Sequence, residues 1–402
     1  MSSAPSWLRP AGWLRRAGWL GPAGWLGRAG WLRSAAGWLG RLDWVLRPAS
    51  AYAASRAVVL SAALLASATT PHLPLGRALT RWDSGWYVLT AVTGYPHHLP
   101  VSGGHVAAST IAFFPLFPLS IRALWLASGL PPAVAGLVLS EVFGLAAAVA
   151  VWALSRHLWG PAPADRACAL FCFFPGAAVF SLVYSEGLML VLAAACLWAL
   201  ARRRWVLAGV LAALATATRP NAIALAVACA WAALVAITRR REWRSLSAPL
   251  LAPAGILAYF AYLWVHTGRL RAWFLTESGG WHERVKLGAT WTKVTAFAQH
   301  PFTDLNVTVV VAGLAFLVLA GLVLLTSKVP GALLVYAGVV VAMALVSRQL
   351  GLRPRFLLTA FPLVTVLGYR LRGVAYGAVL AGSGALLFFF TVVTVSTLRL
   401  TP

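Results

Sequence analysis

One carboxylate stands nearly alone at the edge of a hydrophobic chain. Asp83 lies in Arg81-Trp82-Asp83-Ser84-Gly85-Trp86-Tyr87, and the whole sequence holds only nine Asp and Glu against 33 Lys and Arg. If a helix starts there, Trp82, Trp86 and Leu89 share one face while Asp83, Tyr87 and Thr90 line the next. With the tryptophans resting on lipid or protein, the carboxylate is turned toward whatever lies beside them, where it can take a proton from an attacking hydroxyl. An Asp in front of a helix is also an ordinary N-cap, the competing account.

Three arginines supply the complementary chemistry. Arg219, in Thr218-Arg219-Pro220-Asn221, and Arg353 and Arg355, in Arg353-Pro354-Arg355, each sit at the end of an apolar segment. A guanidinium binds phosphate oxygens in pairs and stays charged when partly desolvated, so the three read as a pyrophosphate or phosphodiester clamp. Pairing with Glu186 or Glu141, or snorkelling to the interface, is the alternative. Arg81, Trp82, Tyr184, Glu186 and Asn221 border the same segments and are expected to contact substrate. Glu186 serves equally as a partner for a recessed arginine. Glu141 lies mid-span, at a cost of about 2.5–3.5 kcal/mol, and shows no partner in the sequence. His97, His98 and His105 follow Asp83 on a Gly- and Pro-rich loop without the helical spacing that preorganises ligands, so no metal is assigned.

These residues must be held by membrane spans. Sixty per cent of the chain is apolar and ten per cent charged, and several apolar stretches approach the ~20 residues that cross a bilayer. The sequence predicts an all-α polytopic membrane protein of about 11 spans, near 51–70, 132–154, 167–183, 187–201, 205–218, 222–238, 247–265, 306–327, 330–347, 356–369 and 373–395. The segment 111–128, interrupted by Pro115, Pro118 and Arg122, reads as a re-entrant or surface helix. Outer loops run over about 71–131 and 266–305. The net charge of +24 is spread between hydrophobic segments instead of gathered on a soluble face, which argues against nucleic acid and follows the positive-inside rule. That rule places the N-terminus in the cytoplasm and Asp83, Glu186, Arg219, Arg353 and Arg355 on the outer side. Short spans such as 205–218 sink the Arg219, Glu186 and Arg355 ends below the membrane surface, where polar backbone is tolerated only around a protein-lined or watery cavity.

Residues 1–50 form a separate Trp/Arg-rich extension. Trp7, Trp13, Trp19, Trp25 and Trp31 recur every six residues, and the pattern resumes at Trp38 and Trp44. A period of six spreads the rings around a helix instead of stacking them in a stripe. The extension reads either as an interfacial anchor on anionic membrane lipids or as a low-complexity expansion, and it carries no chemistry. Cys168, Cys172, Cys196 and Cys229 all lie in apolar segments and are expected to pack in the core. Only Lys286, Lys293 and Lys328 are lysine among the basic residues, a composition that points to a GC-rich bacterial genome.

The motifs together resemble a family. Arg81-Trp82-Asp83-Ser84 with Gly94-Tyr95, then Phe113-Phe114-Pro115-Leu116-Phe117-Pro118, then Phe174-Pro175 leading to Tyr184-Ser185-Glu186, then Thr218-Arg219-Pro220-Asn221, look like the PIG-V-type mannosyltransferases, in an actinobacterial-type member. The likeness covers about residues 51–370. It implies a GT-C-like fold and an enzyme of the bacterial cell membrane that takes a sugar from a polyprenyl phosphate donor on the outer side, with no cofactor. It further implies that the first outer loop carries the catalytic aspartate, here Asp83. The acceptor, whether lipid, glycan or protein, stays open, since Arg219-Pro220-Asn221 stands where eukaryotic members have Arg-Ser-Asn-Gly. The rival class is a transporter or flippase of a lipid-linked or anionic solute, in which the arginines bind and nothing reacts. Such folds often repeat a broken helix in each half, and no second copy of the Asp83 or Arg219 segment is evident.

Overall fold

The computed structural model describes residues 28–349 and 351–397. Trp7, Trp13, Trp19 and Trp25 of the repeat lie outside them. The chain divides into two units, Met1–Leu46 and Arg47–Pro402, and everything below concerns the second.

The protein is a multi-span, almost wholly helical membrane protein. Among the described residues six helical stretches are long and apolar enough to cross a bilayer: Trp44–Thr69, Pro132–Trp159, Pro220–Arg240, Trp243–Thr267, Leu305–Leu325 and Gly373–Ser396. Shorter apolar helices, Leu116–Ser128, Glu186–Ala201, Trp205–Thr216 and Gly331–Val346, pack among them. Trp205–Thr216 has 12 residues, about 18 Å of rise against a ~30 Å hydrocarbon core. Large side chains on the outer faces of the bundle, such as Leu250, Val265 and Val374, stay exposed, as helix surfaces do when the surrounding solvent is lipid.

Two stretches expected to be single spans are broken, and a third stays one span with joints in it. The 167–183 stretch divides into Pro161–Phe173 and a 3₁₀ turn, Pro175–Ser181, bent by 73°. Pro175 explains the break: it disfavours helix at Phe174, whose ψ is 140°. Residues 356–369 divide into Pro354–Thr359 and Pro362–Arg370, again at a proline. The 247–265 stretch is assembled from Trp243–Leu246, Ser247–Leu251 and Ala254–Thr267, with Pro253 at the last junction. An all-helical reading also omitted a small hairpin, Val101–Ser102 against His105–Val106. Its Gly103-Gly104 turn has both φ values positive, at 58° and 80°, as a two-residue hairpin of this kind requires.

Small residues let the central helices close on one another. A side chain at Gly187 would come within 2.9 Å of the Gly144 backbone nitrogen, so the Pro132–Trp159 and Glu186–Ala201 helices meet backbone to backbone, a packing favoured where no hydrophobic force drives helices together. Glu141 finds its partners in this core: it accepts from Tyr52 Oη at 2.8 Å and Ser181 Oγ at 2.6 Å, and Arg56 donates to Ser181 and to the Ala177 carbonyl. The four cysteines are free and buried. Cys168 and Cys172 lie 4.0 Å apart one turn along a helix, and Cys196 faces Cys229 at 3.9 Å across two helices.

Candidate active site

Four stretches distant in sequence converge on one cluster of charge. Asp83 precedes the helix Ser84–Thr93 but its side chain caps nothing. Instead Asp83 Oδ2 accepts from Arg355 Nη1 at 2.9 Å. Glu186, fully buried in the first turn of Glu186–Ala201, places Oε1 2.9 Å from Arg219 Nη1 and 3.4 Å from Arg355 Nε. Both are charge contacts outside hydrogen-bond alignment. The position suits an acid, because the helix N-terminus favours negative charge.

Local sequence explains how each group is aimed. Arg219 and Arg353 both precede proline and both are extended, with ψ of 147° and 154°, as a following pyrrolidine ring demands. Each therefore ends one segment just before the next turn of helix begins. The Arg355 turn is pressed so close to Gly176 that a Cβ there would strike the Pro354 carbonyl oxygen. Gly176→Ala is expected to push Arg355 off Asp83, lowering stability by about 1–3 kcal/mol as overpacking does and reducing activity. Gly321→Ala, where nothing lies within 4 Å, is the neutral control; equal thermal unfolding of the two variants would refute this account.

The Asp83 segment is fastened at several points. Trp82 takes a left-handed φ of 61°, worth roughly 1–2 kcal/mol of strain in an L-residue. Its indole Nε1 donates to Thr394 O at 2.9 Å, and Arg81 donates to Val395 O, both at the end of the Gly373–Ser396 helix. Arg81 and Trp82, expected to contact substrate, thus direct these donors to the backbone and position the loop. Asp83 N–H donates to Tyr184 Oη at 3.2 Å. Tyr87 Oη pairs with Ser185 Oγ at 2.7 Å, and Arg219 Nη1 reaches both. Burial pushes the Tyr87 phenol up to about 12, against the opposing pull of Arg219. The Gly94-Tyr95 and Phe113 motifs join here too, since Tyr95 Oη donates to Phe113 O at 2.7 Å and Leu116 N to Ala217 O at 3.0 Å.

The expected residues thus divide into three groups. Asp83, Tyr184, Glu186, Arg219 and Arg355 come together, with Arg219 and Arg355 already matched by Glu186 and Asp83. Asn221 stands beside them, donating to Thr359 Oγ1 at 3.3 Å. Arg353 differs, for its side chain has no ion pair or hydrogen bond among the described residues. Desolvation and the neighbouring Arg355 bring its pKa down to about 10. Lys293, which sequence reasoning missed, is a second such cation: burial first, then Arg353, lowers its pKa. Arg219 Nε, Asn221 Oδ1, Arg353 Nε, Arg355 Nε and Glu186 Oε2 are all buried without a hydrogen-bond partner among the described residues.

Glu277, on the helix Ala272–Gly280, was also missed. Burial raises its pKa to about 8, with Glu283 and Asp83 adding to the rise and Arg219 opposing it. The unfolded chain releases this proton near 4.5 and the folded protein holds it to about 8. Stability therefore falls as pH rises across that window and levels off above it. Glu277→Gln should flatten this slope in thermal unfolding scans; an unchanged slope would contradict the burial. Among the described residues no group of three His, Cys, Asp or Glu is placed to hold a metal. The His97 ring instead lies against His266, centroids 4.1 Å apart and tilted by 34°.

Fold and site together define a multi-pass membrane protein with a charged cluster where broken helices end. The sequence profile of the family described as Mannosyltransferase (PIG-V) matches residues 48–262, more than half the chain, and the chain belongs to that family. The matched stretch carries Asp83, Tyr184, Glu186, Arg219 and Asn221 and ends before Arg353 and Arg355. A search of curated proteins finds no match. Among solved structures, the chain is similar to ArnT from Cupriavidus metallidurans bound to undecaprenyl phosphate, at 15% identity and a TM-score of 0.49, covering 82% of this chain and 62% of that one. The apo state of the same ArnT gives 15% and 0.49, with 87% and 63% covered. The apo Archaeoglobus fulgidus oligosaccharyltransferase gives 12% and 0.48, with 86% and 56% covered. The chain spans about three fifths of the length of these proteins.

Proposed function

We propose that the protein is a GT-C-type membrane glycosyltransferase. It moves mannose from a polyprenyl phosphate donor to an acceptor hydroxyl, in a recess open to the outer side of a bacterial cell membrane. The observation that carries this reading is the meeting of Asp83 with Arg219 and Arg355 around Glu186, beside cations that lack an acid of their own. So many buried polar atoms without partners in one place are what a ligand's oxygens would complete.

The chemistry is a single inverting displacement. The acceptor O–H gives its proton to Asp83, whose side chain is about a third exposed, while the oxygen attacks the anomeric carbon. The bond from that carbon to the phosphate oxygen breaks, and its electron pair leaves with the polyprenyl phosphate. Arg353 and Lys293 bind the phosphate and stabilise the charge that grows on it. Arg355 bridges the two halves of the reaction: it holds the Asp83 carboxylate at 2.9 Å and adds its charge beside the leaving phosphate. A β-configured donor gives an α-linked product.

Incubating membranes with radiolabelled polyprenyl phosphate mannose tests the reading directly. Label should pass to an acceptor and stay on the donor in membranes that lack the protein. Sidedness has its own test, helped by the burial of all four native cysteines. Ser102→Cys in the hairpin should react with an impermeant maleimide on intact cells, and Arg240→Cys only after permeabilisation. The reverse pattern would turn the recess toward the cytoplasm.

A further inference from the structure

Among the described acidic side chains of the Arg47–Pro402 unit, Glu277 alone has neither an ion pair nor a hydrogen bond. The others are engaged: Asp165 with Arg47 and Trp152, Glu242 with Arg203 and Trp205, Glu283 with Ser347, Asp304 on the backbone of its own helix, and the acids of the core and the cluster as described above. An acid left unmatched in a chain this rich in arginine is not explained by packing.

Its surroundings give it a direction. The Ala272–Gly280 helix is clamped to the first outer loop, since a Cβ at Gly279 would lie 2.6 Å from Val106 O and one at Gly280 would strike Ala108. Trp273 Nε1 donates to Ala112 O at 3.3 Å. One turn beyond Glu277, Trp281 meets Trp86 edge-on at 5.3 Å and Phe113 at 5.8 Å, and Phe113 meets Tyr87 at 4.9 Å. Trp281 Nε1 and Thr276 Oγ1 are buried without hydrogen-bond partners among the described residues. Residues four apart share a helix face, so the carboxyl of Glu277 and the indole of Trp281 stand together, against the helix that Asp83 precedes.

We infer that Glu277 and Trp281 form the subsite for the donor's hexose ring, the carboxyl binding ring hydroxyls and the indole giving its N–H and an apolar face. This rests on the transfer reaction proposed above and adds to it where the sugar lies. A pyranose has one apolar C–H face and a rim of hydroxyls, and a site for it combines aromatic rings with a few placed polar groups. The choice of the donor sugar over the acceptor follows from charge: Glu277 feels both Asp83 and Arg219, the proton-accepting and anion-binding ends of the displacement, and the anomeric carbon must lie between them. With its pKa raised, the carboxyl is largely protonated at neutral pH and both donates and accepts.

The test compares two probes, polyprenyl phosphate and polyprenyl phosphate mannose, on full-length protein in nanodiscs. Glu277→Leu removes a half-buried, desolvated acid and should fold at least as well as the parent. It is expected to weaken the mannose-bearing probe about tenfold or more while the bare phosphate stays within about twofold, the cost of leaving sugar hydroxyls unpaired. Glu277→Gln, which still donates and accepts, should recover most of that loss, and Trp281→Phe should cost the sugar probe about three- to tenfold. Equal loss of both probes, or no loss of either, would overturn the subsite. So would a Gln variant that binds normally but no longer turns over, because Glu277 would then be the proton acceptor. If the parent protein binds neither probe, the donor assignment itself falls and the subsite with it.

Discussion

Asp83→Asn is expected to bind polyprenyl phosphate mannose within about twofold of the parent and to transfer its sugar about 10²–10⁴-fold more slowly, the range a positioned proton acceptor contributes. The amide has the shape of the carboxylate and still offers an oxygen to Arg355 Nη1, so the 2.9 Å contact keeps its geometry and loses half its charge. The backbone N–H of Asp83, which donates to Tyr184, is untouched. The capacity to take a proton is gone. Paired measurements of donor Kd and single-turnover rate decide the matter. A variant that keeps its rate would remove Asp83 from the chemistry, and a parent protein that moves a lipid-linked solute as well before as after the change would be a carrier.

Glu186→Ala should be the most damaging single substitution for stability, at about 3–5 kcal/mol, the cost of stripping one partner from a buried ion pair. Glu186 is wholly buried and stands between two arginines whose side chains are only 11% and 7% exposed. Its loss leaves Arg219 and Arg355 facing each other with only Asp83 for both. Arg219 keeps Ser185 and Tyr87, and those neutral oxygens cannot replace a charge. Glu186→Gln retains the volume and should lie between alanine and the parent. Thermal unfolding in detergent measures the order, and an alanine variant that melts with the parent would show that the cluster is held from elsewhere.

Much of this site was legible because the chain is so poor in acids and so punctuated by prolines. The scarcity of Asp and Glu made Asp83 and Glu186 conspicuous, and the prolines after Arg219 and Arg353 marked where apolar segments must stop. Burial of the cysteines and the general run of spans followed from hydropathy. What the sequence withheld was pairing. Three arginines looked like three equal phosphate ligands, yet two are matched by Glu186 and Asp83, which only the tertiary fold brings together. Glu141 showed no partner in sequence because Tyr52 and Ser181 come from other segments and carry no charge to advertise themselves. Lys293 and Glu277 escaped because the segment 266–305 has weak periodicity, so nothing local aims a side chain there. Helix breaks at Pro175 and Pro362 were hidden by continuous apolarity, which reports what lipid tolerates and not whether a helix is straight.

The anchoring of Trp82 and Arg81 has an implication for biogenesis. Their acceptors, Thr394 and Val395, lie more than three hundred residues downstream. During synthesis the earlier helices emerge and associate while the loop that carries Asp83 still lacks its fastening. On the proposed transfer reaction, competence waits until the Gly373–Ser396 helix takes its seat, and a half-made polypeptide holding only the earlier helices would remain inert toward the lipid-linked donor.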